Sequence, residues 1–176
     1  MNMRCFRVGI VALVALFGLQ ACNNLRPLYG THGLETQSDV VTELSNVDIP
    51  EPKSRLQQLI RNNLISSMSP PGQEGNGRYT LIIHPTPSEF DLVIERNTDV
   101  SRKSYRLKVA FSLRDGKSGR KIYSGNTFSE VSYDEITSEF ANLQAKTDAE
   151  ERAARQVSQD IRTRLAAYFA TRNPSS

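Results

Sequence analysis

A strict alternation of apolar and polar residues over positions 105–114 predicts a β-strand, because successive side chains of a strand point to opposite faces. The odd-numbered positions are apolar: Tyr105, Leu107, Val109, Phe111 and Leu113. The even-numbered positions are polar or small: Arg106, Lys108, Ala110, Ser112 and Arg114. A strand with this pattern belongs to an antiparallel sheet that has one dry face and one wet face.

Two further segments on either side of this strand complete a predicted meander of three strands. Residues 78–94 form the first, with Tyr79, Leu81 and Ile83 on one face and an expected break at Pro85 and Pro87. Residues 121–131 form the third. The segments 97–99 and 115–119 are the turns that join them, and Val40 to Ile49 is a fourth strand candidate.

Helical spacing of apolar residues predicts two amphipathic helices. The first covers residues 52–68, with Leu56, Leu59, Ile60, Leu64 and Met68 on one side. The second covers residues 148–171, and Thr147-Asp148-Ala149-Glu150 has the sequence of an N-terminal capping box. The expected fold class is α+β: a two-layer α/β sandwich, mainly antiparallel, with both helices on one face of the sheet and the order β-α-β-β-β-α.

The N-terminal 21 residues have the order of charged, apolar and small residues that is typical of a secretory signal peptide. The apolar run from Val8 to Phe17 is too short for a membrane-spanning helix, which needs about 20 residues. Leu19-Gln20-Ala21-Cys22 resembles the lipobox of bacterial lipoproteins, which implies cleavage before Cys22 and fatty acylation (palmitate) of that residue. A plain signal peptide with an incidental cysteine is the alternative. Asn23 rather than Asp after the cysteine indicates sorting to the outer membrane, by resemblance to such lipoproteins.

This interpretation divides the chain into four segments. They are a signal peptide at 1–21, a lipidated N-terminus and tether at 22–39, one α/β domain at 40–172 and a tail at 173–176. The length suits one domain. Without Arg4 and Arg7 the chain has 20 basic and 19 acidic residues, so general binding of nucleic acid is not expected.

The residues that catalysis would need are missing or badly placed. His32 and His84 are the two histidines, and neither has a second histidine or a cysteine near it in sequence. A metal site or a nucleophilic triad is therefore not expected. No glycine-rich phosphate-binding motif is present. We expect neither an enzyme nor a cofactor, and we interpret Glu89, Asp91 and Glu95 as a solvated strand face.

A basic segment is the remaining candidate for chemistry, since residues 97–121 hold eight basic and two acidic residues. Its charges, together with Arg96, cluster around the two predicted turns, which lie at opposite ends of the central strand. The candidates for an anionic ligand are Arg96, Arg102, Lys103, Arg120 and Lys121. A phosphorylated lipid suits them, because arginine and lysine bind phosphate through charge-assisted hydrogen bonds. The alternative is that these charges solubilise the turns and block unwanted strand pairing.

Arg26-Pro27-Leu28-Tyr29-Gly30, shortly after the cysteine, resembles the start of mature proteins of the LptE family of lipopolysaccharide-assembly lipoproteins. Leu25 departs from that pattern, since an aromatic residue is usual there. The order of elements, the Arg-Lys-Ser-Tyr stretch at 102–105 and the alanine-rich last helix are also similar to the family.

The resemblance implies a plug and assembly partner for the outer-membrane β-barrel LptD that also binds lipopolysaccharide. Arg96 occupies a place similar to that of a ligand-contacting basic residue in the family. The lumen of a large barrel is polar, so the wet sheet face with Arg106, Lys108 and Arg114 is the candidate barrel contact. The alternative function is an accessory structural lipoprotein of another envelope complex, either a transport-system auxiliary or a barrel-assembly subunit, without lipopolysaccharide binding.

Overall fold

A four-stranded sheet that carries two helices on one face is the framework of the protein. The computed structural model describes residues 32–69, 76–93 and 101–172. In chain order the elements are α1 (His32–Ser45), β1 (Val47–Asp48), α2 (Arg55–Met68), β2 (Tyr79–Val93), β3 (Ser101–Asp115), β4 (Lys121–Glu135) and α3 (Glu139–Arg172). The predicted class, α+β with both long helices on one face of a mainly antiparallel sheet, is confirmed.

β3 is the central strand of the predicted meander and determines which side of the sheet is dry. It pairs antiparallel with β2, from Tyr79 opposite Asp115 onwards, and antiparallel with β4. The five odd-numbered apolar residues of β3 are buried, and Leu107 and Leu113 have no exposed surface. We call the side that these residues face the inner face. The opposite side, the outer face, carries no helix among the described residues.

β2 runs without interruption through Pro85 and Pro87, where a break was predicted. Gly116 donates its N–H to the Arg78 carbonyl, whereas the Tyr79 N–H points the other way, to the Asn46 carbonyl. Odd-numbered residues of β2 therefore direct their backbone groups to the sheet edge, because these directions alternate along a strand. Both prolines stand at such edge positions, where a missing N–H removes no bond to β3.

An unbroken β2 also changes the face of its last residues. Phe90 lies at an even position, opposite Ser104, and hence on the outer face, and a register shift between Asp91 and Val93 ends the alternation after it. Glu89 and Asp91 take the inner-face parity. The prediction that these carboxylates form a solvated strand face needs correction for Glu89, whose contacts to other elements are described below.

α2 and α3 pack on each other and on the inner face. Ser54 caps α2 by accepting a hydrogen bond from the Gln57 N–H at 3.2 Å, so the helix begins slightly after the predicted position 52. α3 contributes a buried stripe: Ala149, Ala153, Val157, Ile161, Leu165 and Phe169. The buried Ser158 hydroxyl donates to the Ala154 carbonyl at 2.7 Å and lies 3.3 Å from the Ile60 carbonyl of α2.

α3 begins at Glu139, well before the predicted start at 148. The capping-box prediction was wrong, since Thr147 lies inside the helix. A prediction of a strand from Val40 to Ile49 was also wrong over most of its length. Helix α1 continues to Ser45, and only Val47–Asp48 form a strand, which is parallel to β2. The observed order is therefore α-β-α-β-β-β-α.

The chain divides into two units, Met1–Glu35 and Thr36–Ser176, and the contacts described above and below lie within the second unit. Several predictions lie outside the described residues. They concern the signal peptide, Cys22, the Arg26–Gly30 motif, Arg96 with the first hairpin turn, and the tail after Arg172.

Candidate functional surfaces

The outer face of the sheet presents the three predicted barrel-contact residues to solvent. Lys108 and Arg114 are exposed, and Arg106 is half-buried. They follow one another along β3 on its even-numbered side, as the alternation predicted. Phe128 on β4 lies opposite Lys108 in the register and is 66% exposed. This face therefore combines cations with an accessible aromatic ring.

Arg106 is held rigidly on this face. Its Nε and Nη2 atoms donate to Glu130 Oε2 at 2.9 and 2.8 Å, and its guanidinium lies 4.7 Å from the centre of the Phe90 ring. The Ser104 hydroxyl donates to the other oxygen of Glu130. Hydrogen bonds from Arg106 and then from Ser104 lower the pKa of Glu130. The charges of Arg106 and Glu130 thus largely cancel, and Arg106 presents a guanidinium of fixed orientation to a partner.

Arg102 and Lys103, two predicted ligand-binding residues, are also neutralised. Arg102 donates to both oxygens of Asp134 across the β3–β4 ladder, at 2.8 and 3.4 Å. Lys103 forms an ion pair with Glu135 at 2.7 Å. The hydrogen bond from Arg102 lowers the pKa of Asp134. An anionic ligand at this end of the sheet would therefore compete with two carboxylates.

Arg120 and Lys121 lie at the other end of the sheet with Arg114, and we call these three residues the proximal cluster. Arg114 and Lys121 are partners in the β3–β4 register. Within the described part of the chain none of the three forms a salt bridge. Like charges placed opposite each other in a ladder repel, so this cluster favours an anion.

Asp115, the carboxylate nearest to the proximal cluster in sequence, accepts hydrogen bonds within the turn that follows it. Its Oδ1 accepts from the Ser118 N–H and hydroxyl, both at 2.8 Å, and from the Lys117 N–H. The Ser118 N–H contributes most to the lowered pKa of Asp115, and the charge of Arg120 contributes least.

The two predicted groups of cations lie far apart, since the twelve residues of strand between Arg102 and Arg114 span about 40 Å. The prediction that they do not form one patch is confirmed for Arg102 and Lys103 against the proximal cluster.

A polar cleft between β2–β4 and the first turns of α3 was missed by sequence reasoning. Tyr133 donates to Glu89 Oε2 at 2.9 Å, and Lys146 forms an ion pair with Glu89 Oε1 at 2.6 Å. Phe140 and Leu143 of α3 line the same cleft and are mostly exposed.

The contacts of Glu89 change its ionisation. Burial acts to raise the pKa of Glu89, but the hydrogen bonds from Lys146 and Tyr133 outweigh it, and the pKa lies below its ordinary value. Burial, followed by the bond to Glu89, raises the pKa of Tyr133. Sequence could have indicated this cleft, because Glu89 and Leu81 both stand at odd-numbered positions and so lie on the same face of one strand. That inference requires β2 to continue past Pro85 and Pro87.

The described residues contain neither a cluster of potential metal ligands nor a helix that could span a membrane. No group of three or more histidine, cysteine or acidic side chains lies close enough to hold an ion in ranges 32–69, 76–93 and 101–172. No described helix is long and apolar enough to cross a membrane.

Comparison with known proteins relates the chain to bacterial envelope proteins. Residues 42–165 match the family LptE, described as lipopolysaccharide-assembly. A protein of Caulobacter crescentus CB15 described as a lipoprotein shares the fold, with a TM-score of 0.63, 24% identity, and coverage of 76% of this chain and 98% of that one. A minor lipoprotein of Acinetobacter baumannii has a TM-score of 0.50 and 20% identity, covering 69% and 89% of the two chains. No curated protein sequence matches the chain.

Proposed function

The chain belongs to the LptE family of lipopolysaccharide-assembly lipoproteins, and we propose that it acts at the outer membrane as plug and assembly partner of an LptD-like β-barrel. The family is not a family of enzymes. In this proposal the protein is anchored through an acylated Cys22, faces the periplasm and the barrel lumen, and also binds lipopolysaccharide. The lipobox-like residues Leu19 to Cys22 support the anchor.

The uncovered outer face of the sheet is the observation that carries the barrel proposal. The two helices cover only the inner face, so the outer face of β2–β4 is left for a partner. A barrel lumen is polar, and this face offers the exposed cations Lys108 and Arg114, the fixed guanidinium of Arg106 and the ring of Phe128. Electrostatic complementarity of this kind mainly determines specificity and the rate of association.

Charge reversal on the outer face tests the barrel proposal. We expect Lys108→Glu with Arg114→Glu to reduce the amount of barrel that copurifies with the lipidated protein, because the two new carboxylates would repel acidic groups of the lumen. The matched control is Arg152→Glu with Arg155→Glu, which changes the same charge on the exposed side of α3. Equal barrel recovery from the outer-face variant and the control would contradict the assignment of this face.

The proximal cluster is the part of the proposed lipopolysaccharide site that needs no broken salt bridge. Lipid A carries phosphate groups, and Arg114, Arg120 and Lys121 have no carboxylate partner in a salt bridge within the described ranges. Arg102 and Lys103 remain candidates that would exchange Asp134 and Glu135 for phosphate. Arg96 stays a candidate through the family resemblance.

Binding of purified lipopolysaccharide by charge-neutral variants tests this assignment. We expect Arg120→Gln with Lys121→Gln to weaken binding by roughly tenfold, as the loss of one or two charge-assisted hydrogen bonds requires. Arg102→Gln with Lys103→Gln should have a smaller effect, since those cations are compensated. The reverse ranking would move the site to the other end of the sheet.

A further inference from the structure

β4 has an open edge along nearly its whole length. The backbone N–H and C=O groups of odd-numbered β2 residues point away from β3. Even-numbered β3 residues therefore form their backbone hydrogen bonds with β2, and odd-numbered β3 residues form theirs with β4. The register joins Leu113 to Tyr123 and Val109 to Thr127, so the odd-numbered residues of β4 form the backbone hydrogen bonds to β3. Even-numbered residues from Ser124 to Asp134 therefore direct their backbone N–H and C=O groups outwards, and no described residue pairs with them.

The two edges of the sheet are protected very differently. The β2 edge is covered by β1 at Tyr79 and Thr80, the Gln57 side chain reaches the Ile83 carbonyl, and two prolines follow at edge positions. Natural proteins use such devices to prevent edge-to-edge pairing. β4 contains no proline, and after a register shift between Lys121 and Tyr123 it pairs regularly to Glu135. Its edge-side carboxylates Glu130 and Asp134 are neutralised by arginines of β3.

We propose that β4 pairs antiparallel with β4 of a second copy of this chain, with Phe128 on the two-fold axis. Phe128 is the middle residue of Lys121–Glu135, so this register pairs the regular part of both strands, from Tyr123 to Tyr133. It also brings the two exposed Phe128 side chains together on the outer face. Aromatic side chains directly opposite each other on neighbouring strands stabilise a sheet.

The charges along β4 are complementary to a second copy in this orientation only. Lys121 stands at the start of the strand, whereas Glu130, Asp134 and Glu135 lie in its second half. Antiparallel pairing about Phe128 places Asn126 opposite Glu130 of the second copy. The register shift at Ile122 puts Lys121, the ladder partner of Arg114, on the outer face, where Asp134 of the second copy lies at the same end of the pair. No like charges face each other in this register, whereas a parallel pair would align the acidic halves. The resulting eight-stranded sheet would carry both α3 helices on the same face.

This inference goes beyond the proposed function, because it concerns the chain when it is free of the barrel. It leaves the outer face of the sheet accessible, but it gives β4 a partner that a seated plug would have to release. The form to test is the lipidated protein purified in detergent without its barrel.

A disulfide at the two-fold position tests the pairing in the lipidated protein purified without its barrel. In an antiparallel pair the Cα atoms of directly opposed, hydrogen-bonded residues lie about 5.5 Å apart, within reach of a disulfide. We expect Phe128→Cys to give a disulfide-linked species of twice the chain mass under mild oxidation. Thr86→Cys, an exposed position on the same face of the protected edge strand, is the matched control and should stay monomeric. A Phe128→Cys chain that stays monomeric, or that links only to a different protein, would overturn the proposal.

A proline at the open edge provides the second test. The Asn126 N–H faces outwards, so Asn126→Pro should keep the bonds to β3 but remove a donor from the dimer, as Pro85 and Pro87 do in β2. By sedimentation, we expect the dimer dissociation constant to rise by on the order of tenfold, whereas Asn126→Ala keeps the donor and stays near wild type. If Asn126→Pro does not fold, Phe128→Lys, which places like charges on the axis, should give the same loss. A wild-type protein that is monomeric at every concentration would overturn the inference.

Discussion

Single residues on β4 and β3 show how closely the inner face is packed. Gly125 lies directly opposite Phe111 in the ladder, and a Cβ atom there would come within 2.8 Å of the Phe111 ring. Phe111 is buried and also contacts the Tyr123 ring, with 6.1 Å between centroids. A glycine inside a strand often indicates such a close approach.

We predict that Gly125→Ala lowers the free energy of unfolding by about 1–3 kcal/mol, the usual cost of inserting a methyl group into a filled core. Chemical denaturation followed by circular dichroism measures this difference. Ser124→Ala, one residue earlier and exposed, should leave stability within error. Equal stabilities for the two variants would show that the Phe111 ring moves without resistance.

Glu89 connects ionisation with stability. Its pKa is lower in the folded protein than the ordinary value of 4.5. A lowered pKa means that its contribution is complete above the unfolded pKa and is lost as the pH falls through the folded pKa. We therefore predict that thermal stability falls below about pH 4.5, and that Glu89→Gln makes this fall shallower. Asp115, Glu130 and Asp134 have lowered pKa values as well, so some slope should remain.

Melting curves over an acidic pH series, recorded for wild type and Glu89→Gln, check this prediction. At neutral pH the variant should be less stable, since Lys146 and Tyr133 lose a charged partner. Identical slopes for the two proteins would mean that the Glu89 contacts do not persist in solution.

At the scale of elements, two hydrogen bonds stabilise the junction between β4 and α3. Asn142 in the first turn of α3 accepts from the Ile136 N–H at 2.8 Å and donates to the Ile136 carbonyl at 2.7 Å. These two bonds join Ile136, just after the end of β4, to the first turn of α3.

We predict that Asn142→Ala frays the start of α3 without unfolding the protein, at a local cost of about 1 kcal/mol. Hydrogen exchange should become faster for residues 139–146 and remain unchanged around Val157 and Ile161, which are fully buried. Uniform acceleration along all of α3 would contradict the assignment of this turn as a separate, weakly held segment.

The elements that could be predicted from sequence are those whose burial is one-sided. β3 was predictable because its apolar and polar residues strictly alternate, and α2 because Ile60, Leu64 and Met68 have helical spacing. The start of α3 was not, because Phe140 and Leu143 are exposed and form no buried stripe. α1 was mistaken for a strand because Val40 and Val41 are β-branched, a residue type that favours strands.

The candidate cations were visible in sequence, but their partners were not. The pairing of Arg102 with Asp134 and of Arg106 with Glu130 depends on the β3–β4 register, which relates residues distant in sequence. For the same reason, the opposition of Arg114 to Lys121 appears only once the ladder is formed. Sequence alone therefore placed the four described ligand candidates, Arg102, Lys103, Arg120 and Lys121, in two groups without showing which of them are compensated.

At the scale of the whole molecule, each face of the sheet has a separate task. The inner face and the two helices form the core, whereas the outer face and the turns present the exposed charges. Under the proposed plug function this division has a purpose, since a plug needs a core of its own and a large polar surface that it can offer to a barrel.

The most direct test of this account is affinity purification of the full-length, lipidated protein from detergent-solubilised outer membrane, with identification of the proteins that accompany it. The account predicts a large β-barrel in one-to-one amount, with recovery that depends on Lys108 and Arg114. Recovery of only an inner-membrane transporter, or of no partner, would contradict the plug function and leave an anchored α+β adaptor whose basic turns serve solubility.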